Sequence, residues 1–213
     1  MTSIRARSAA EPVSGFIKTE HAARPTFHGM TTASTQYEAA ARPLSAVLDA
    51  VPQDRWSAPS PCEGWTARDV LRHLIETQRD YLAGHGVDLG PAPDLDSDPA
   101  AAWRDHAKRV QEVMADDELA EREYDGHFGR TTVGANLVRF YGFDMLVHRW
   151  DVAQAAGADA GLTADELDRI ERGADGFGEA LYLDGVCRPG VEAPADADRE
   201  ARVLARLGRA ARA

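Results

Sequence analysis

Three side chains in this sequence have the types and the spacing to hold a metal ion. Asp144 and His148 stand four residues apart, so on a helix they project from one face, a turn from each other. A carboxylate and an imidazole so placed can grip one ion, and a borderline divalent metal accepts both donor types. Apolar neighbours, Leu137, Tyr141, Met145 and Val152, surround the pair. A carboxylate in that company is costly to bury unless something positive meets it. A third ligand has to come from a facing helix. His73 is the best candidate, because it stands beside the stripe of Val70, Leu74 and Tyr81 and not on the charged face of Asp69, Arg72 and Glu76. Two histidines and one carboxylate leave coordination positions open, the pattern of a reactive site and not of a closed structural one. Asp151, three residues beyond His148, can accept the second ring N–H and fix the tautomer. Spacing by itself leaves plainer readings open. An Asp-x-x-x-His pair is also a common helical ion pair, a helical His a common core or surface residue, and Asp151 equally a surface or capping residue.

Other residues carry less. His21 and His28 fall in an irregular N-terminal stretch, His85 follows a helix-ending Gly84, and His106 is expected on a solvated helix face. His127, in Asp125-Gly-His-Phe-Gly129, lies just before a long helix and within reach of a pocket mouth. The two cysteines, Cys62 and Cys187, are too few for a disulfide scaffold and form no CxxC pair, which argues against a thiolate metal site. There is no GxGxxG, phosphate-binding loop, GxSxG or HExxH. The sequence singles out no catalytic side chain beyond the three ligands and no substrate-binding residue.

The elements that must position these groups are helices. Residues 34–50 read as a first helix, with Pro52 just beyond it; the Pro- and Gly-rich loop from Trp56 to Trp65 forbids regular structure. Thr66 and Asp69 form a capping-box pattern that starts a second helix, the one carrying His73. Ser97-Asp98-Pro99 announces a third, with Trp103, Val110, Val113 and Met114. The longest helix runs from about Thr132 to Ala156 with Gly157 as its C-cap, and carries Asp144 and His148. A fifth begins at Thr163 with a capping box to Glu166, and a short sixth lies near 198–207 after an extended stretch. No strand alternation is convincing. The pattern predicts an all-α, up-and-down four-helix bundle over 33–185, with a flexible leader at 1–32 and a C-terminal extension with a short helix at 186–213. Met30 is a candidate alternative start.

Composition narrows the partners. A net charge of −11 argues against nucleic acid, which needs a surplus of Lys and Arg to displace counterions. The basic tail from Arg202 to Arg212 then reads as a solvated helix end. No run approaches the roughly 18 apolar residues of a membrane helix, and residues 1–30 lack the apolar core of a secretory signal. The expected protein is cytoplasmic, bound neither to membrane nor to nucleic acid, a monomer or homodimer acting on a small molecule.

Two segments and the ending together resemble a known family. Pro59-Ser-Pro-Cys-Glu-Gly-Trp-Thr-Ala-Arg-Asp-Val-Leu-Arg-His73-Leu resembles a segment of the form PTPCxGWxVRDLxxHL. Asp144-Met-Leu-Val-His148-Arg-Trp-Asp-Val-Ala resembles DxLVHxWDLA. The stretch from Val191 to Arg209 is similar to the C-terminus of an actinobacterial branch. These belong to the mycothiol-dependent maleylpyruvate isomerase-like, DinB-like metal-binding superfamily, and the resemblance covers about 33–209. It implies a DinB-like bundle with a metal on His73, Asp144 and His148, zinc first and nickel, iron or manganese as alternatives. It also implies mycothiol as a thiol cosubstrate, for S-transfer to an electrophile or for its isomerisation. In the isomerase branch a Glu stands where this chain has Asp144, and elsewhere in the superfamily commonly a His; the shorter Asp reaches less far. A non-catalytic metal-binding or ligand-sensing protein is the alternative from a different class.

Overall fold

Helix starts in this chain are set by side chains that satisfy the free N–H groups of the first turn. The computed structural model describes residues 33–183 and 186–210, within the unit Thr31–Ala213. The expected leader with His21 and His28, the alternative start at Met30, and the last three residues of the expected extension lie outside the described residues. Helix α1 spans Ala33–Asp49. Helix α2 spans Ala67–Gly84 behind a reciprocal capping box of Thr66 and Asp69. Helix α3, Pro99–Met114, is capped by Asp98 with Pro in its first turn. A short α4, Asp117–Ala120, precedes an antiparallel hairpin of β1, Glu123–Gly126, and β2, Gly129–Thr132. Helix α5, Val133–Ala156, is capped by Thr132 and stops at Gly157, whose φ of 73° is a left-handed conformation that glycine adopts without strain. Helix α6, Ala164–Phe177, starts from the Thr163–Glu166 capping box, and α7, Arg199–Arg206, from Asp198.

Helices α1, α2, α3 and α5 form a DinB-like bundle in which α1 packs on α3 and α5, and α2 on the same two. Ser34 at the start of α1 bonds the Gln111 carbonyl near the end of α3, Tyr37 reaches Gln78 late in α2, and Ala33 lies against Gly134 at the start of α5. The four therefore run up, down, down and up. This refines the simple alternation expected from the sequence. Segment 85–98 is long enough, at about 3.3 Å per extended residue, to return along the bundle and set α2 and α3 side by side in the same direction. No helix among the described residues is long and apolar enough to cross a membrane.

Helix α5 is buried almost all round, which marks a helix sandwiched between two layers. Leu137, Met145 and Val152 enter the bundle core with Leu44, Leu71, Leu74 and Trp103. Leu146, Val147 and Trp150 enter a second core with Ile170 of α6 and Leu204 of α7. The buried Arg149 holds both oxygens of Glu166, at 2.9 and 2.7 Å, and so ties α5 to the first turn of α6. The 3-10 turn Gly178–Tyr182 follows α6, and residues 187–194, without regular secondary structure, precede α7. The hairpin and α4 were not legible in the sequence. Glu-Tyr-Asp-Gly and Gly-Arg-Thr-Thr are too short and too polar to show alternation; Tyr124 of β1 reaches Tyr81, and Phe128 of the turn packs on Phe140.

His106 corrects the expectation of a solvated histidine. It is buried in α3, with Nε2 at 3.1 Å from Gln78 Oε1, which also accepts the Tyr37 hydroxyl at 2.7 Å. Its neighbours Trp103 and Val110 take the rest of the helix inward, and the polar Gln78 lets an imidazole follow them. Burial, with Arg79 and Arg109 nearby, pushes its pKa from 6.5 down to about 3. The unfolded chain then takes up a proton near pH 6.5 that the folded state refuses. The stability held by neutral His106 is intact above that pH and is lost as the pH falls toward 3, by up to about 1.4 kcal/mol per unit. Thermal melts from about pH 7 to 5 are expected to fall more steeply for the wild type than for His106→Leu. Parallel curves would contradict a neutral, buried ring.

Candidate metal centre

The centre is built where α2 and α5 pass each other in opposite directions. His73, on α2, brings Nε2 to 3.4 Å from Asp144 Oδ2; His148 brings its own Nε2 to 3.7 Å from Asp144 Oδ1. The two imidazoles meet edge to face, centroids 5.2 Å apart. One donor atom from each of the three residues lies within 4.8 Å of the others. The plain helical ion pair is thus not the whole arrangement, because a third group from a separate helix joins it.

The loop before α2 closes one side. Gly64, at φ 78°, turns the chain so that Trp65 N–H reaches the Cys62 carbonyl and the Trp65 carbonyl accepts from Ser60. Trp65 then lies over both rings, 5.0 Å from His73 and 6.4 Å from His148. Behind the histidines the C-terminal segment closes the other side. Asp151 is fully buried, accepts from His148 Nδ1 at 2.8 Å, and is clasped by Arg209 through Nη2 at 3.0 Å and Nε at 3.3 Å. Arg209 is itself buried, which corrects the reading of the basic tail as a solvated helix end: Asp151 supplies the counter-charge that lets a guanidinium sit inside. The sequence missed Arg209 because nothing local marks one arginine among several; its partner is 58 residues away.

The charges are fixed by these contacts. Burial pushes the Asp151 carboxyl up, but hydrogen bonding from His148 and the Arg209 charge outweigh it and bring the pKa to about 2. An ionised Asp151 can only accept, so His148 carries its proton on Nδ1 and turns the Nε2 lone pair toward Asp144. Burial likewise raises Asp144, while the His73 hydrogen bond and the positive charge that the imidazoles bring when protonated, with that of Arg209, outweigh it and hold the carboxyl below its ordinary range. Cys62, 3.3 Å from Asp151, is pushed up to about 12 by burial and by that carboxylate. It is a neutral thiol beside that carboxylate. Cys62, His148 and Asp151 also form a three-donor cluster, but Arg209 already occupies the cation's place in it.

His73, Asp144 and His148 fit a divalent ion. Ligand atoms bound at 2.0–2.1 Å around a tetrahedral zinc stand about 3.3 Å apart. The His73–Asp144 distance of 3.4 Å, to Oδ2, and the His148–Asp144 distance of 3.7 Å, to Oδ1, are each within a few tenths of that edge, the carboxylate turning a different oxygen to each ring. Asp144 also walls a cavity of about 670 Å³ that has His85, His127 and Cys187, but neither His73 nor His148, among its lining residues.

Residues 37–153, more than half of the chain, match the family model described as mycothiol maleylpyruvate isomerase N-terminal domain. The matched span holds His73, Asp144, His148 and Asp151, and ends before Cys187 and Arg209. No curated protein and no solved structure matches the chain. With the bundle, the paired histidines and this match together, the chain belongs to the mycothiol maleylpyruvate isomerase N-terminal domain family.

Proposed function

We propose that the protein is a metal-dependent enzyme using a low-molecular-weight thiol, mycothiol by its family, to transfer sulfur to an electrophilic small molecule or to isomerise it. The observation that carries this reading is the convergence of His73, Asp144 and His148 beside a cavity of ligand size. When bound, a divalent ion supplies the acidity that turns a coordinated thiol into a thiolate at neutral pH. The chain's own residues do the rest. Asp151 and Arg209 keep the His148 Nε2 lone pair free and aimed at the site. Trp65 covers the imidazoles and limits water. In S-transfer, the thiolate forms a C–S bond as the leaving group departs with its electron pair. In isomerisation, the thiolate adds to a conjugated double bond, the resulting single bond rotates, and the same thiolate leaves.

Two measurements on protein purified without a histidine tag test the proposal. Metal analysis should find about one divalent ion per chain, and mycothiol should be consumed with a panel of electrophiles by wild type but not by chelated protein. Stoichiometric metal without thiol consumption would favour the binding or sensing alternative. Absence of stoichiometric metal from protein expressed with ample zinc, nickel, iron and manganese would sink both.

A further inference from the structure

The cavity walled by Asp144 has a one-sided chemistry. Its volume of about 670 Å³ is in the range of sites that enclose a small organic ligand. Much of its wall is aromatic, with Tyr81, Tyr124, Phe140, Tyr141, Phe143 and Phe177 among its lining residues. These rings hold one another in place, Phe177 packing on Phe140 and Phe143 with centroids 5.2 and 5.1 Å apart, and the Tyr81 hydroxyl anchored on the Val133 carbonyl. Five large hydrophobic side chains are exposed among the described residues, and three of them, Phe128, Leu183 and Val186, line this cavity. Apolar side chains scattered singly over a surface need no explanation, but a cluster at one opening marks a binding site.

The charges are equally one-sided. Asp80 and Asp144 face the cavity, and no Lys or Arg is among its described lining residues. A bound ion would offset Asp144, but His73 and His148 are not among the lining residues; an anion entering the cavity would meet Asp80 and apolar walls with no basic side chain beside it, and burying a charge without a partner is costly. Of the two lining histidines, His85 is held toward its neutral form by burial and by Arg122. Thr77 and Asn136 also face the cavity; they can orient a ligand by hydrogen bonds without asking for charge.

We infer that this cavity selects an aromatic or similarly apolar molecule that carries no negative charge as the small-molecule substrate of the adjoining centre. The inference rests on the metal-dependent reading of that centre for the word substrate, and on the cavity alone for the class of ligand.

Three ligands built on one ring test it: dimethyl phthalate, uncharged; phthalate, a dianion; and phenyltrimethylammonium, a cation. Titrated calorimetrically into the full metal-loaded chain, the ester is expected to bind at least about tenfold more tightly than phthalate, and the ammonium ion, which meets aromatic faces and Asp80, is expected to bind more tightly than phthalate too. Phe177→Ala should weaken the ester by about tenfold, and Phe128→Ala, at the exposed rim, serves if the first variant does not fold. Phe177→Arg should narrow the gap between phthalate and the ester. Phthalate binding as tightly as the ester would overturn the inference, as would ester affinity that neither alanine variant changes. The same titration on chelated protein separates the two claims. Ester binding by chelated protein, with no stoichiometric ion found in the protein as purified, would defeat the metal-dependent reading and leave the apolar cavity standing. Preference for phthalate in a metal-loaded chain would do the reverse.

Discussion

His148→Ala is expected to lose its divalent ion and keep its fold. The ring gives the site one of three donors and stands next to the second core, so the variant tests ligation against packing. The packing loss is modest: Leu146, Val147 and Trp150 keep their places among α6 and α7, and the bundle core of Leu137, Met145 and Val152 is untouched. The ligation loss is large, because removing a ligand costs more than the roughly 10–100-fold in affinity that removing a ligand's supporting partner costs. An ion that binds only the folded state stabilises it in proportion to the logarithm of its concentration over Kd. Chelator should therefore lower the melting temperature of the wild type and leave that of His148→Ala unmoved, while the circular dichroism of the two stays alike. His73→Ala, on α2 and more exposed, should reproduce the metal loss with less effect on packing. If His148→Ala kept stoichiometric metal, the ion would have to be held elsewhere.

Much of this architecture could be read from local chemistry. Thr66 with Asp69, Asp98 with Pro99, Thr163 with Glu166, and Gly157 each act within a few residues, and each marks a helix end that the structure places within a residue or two. Asp144 and His148 were legible for the same reason, since a one-turn spacing on a long helix dictates a shared face. His73 needed a guess about which helix lies opposite, and the apolar stripe beside it supplied that. What stayed hidden depends on partners far along the chain. His106 looks solvated until Gln78 and Tyr37 are seen to meet it, and Arg209 looks like part of a basic tail until Asp151 takes it inside. The aromatic cavity draws on α2, the hairpin, α5 and the stretch after α6, so no single window of sequence shows it. Trp65 and Cys62 stand in the Pro-Cys-x-Gly-Trp loop, where the resemblance offered a signal that spacing did not.

The Asp151–Arg209 pair separates stability from site geometry, and a cycle of variants should show both effects. Asp151→Leu leaves the Arg209 guanidinium buried with a carbonyl, at Leu207, and two thiol sulfurs for partners. Arg209→Met leaves the Asp151 carboxylate buried with only His148 and the Cys62 thiol. Breaking a buried pair from one side costs on the order of 3–5 kcal/mol, because the remaining charge is uncompensated. Replacing both members with apolar residues removes both desolvation penalties, so the double variant is expected to recover most of the stability lost in either single one. Metal affinity should not recover with it. Without Asp151 nothing holds the His148 proton on Nδ1, so Nε2 loses its fixed lone pair, and affinity is expected to stay about 10–100-fold below wild type in the double variant. Denaturant unfolding and competition with a zinc indicator measure the two quantities independently. Were stability and affinity to recover together, Asp151 and Arg209 would be packing residues that happen to border the site. Recovery of stability alone would make them the support on which the His148 ligand depends, supplied in part by a C-terminal segment outside the span that matches the family.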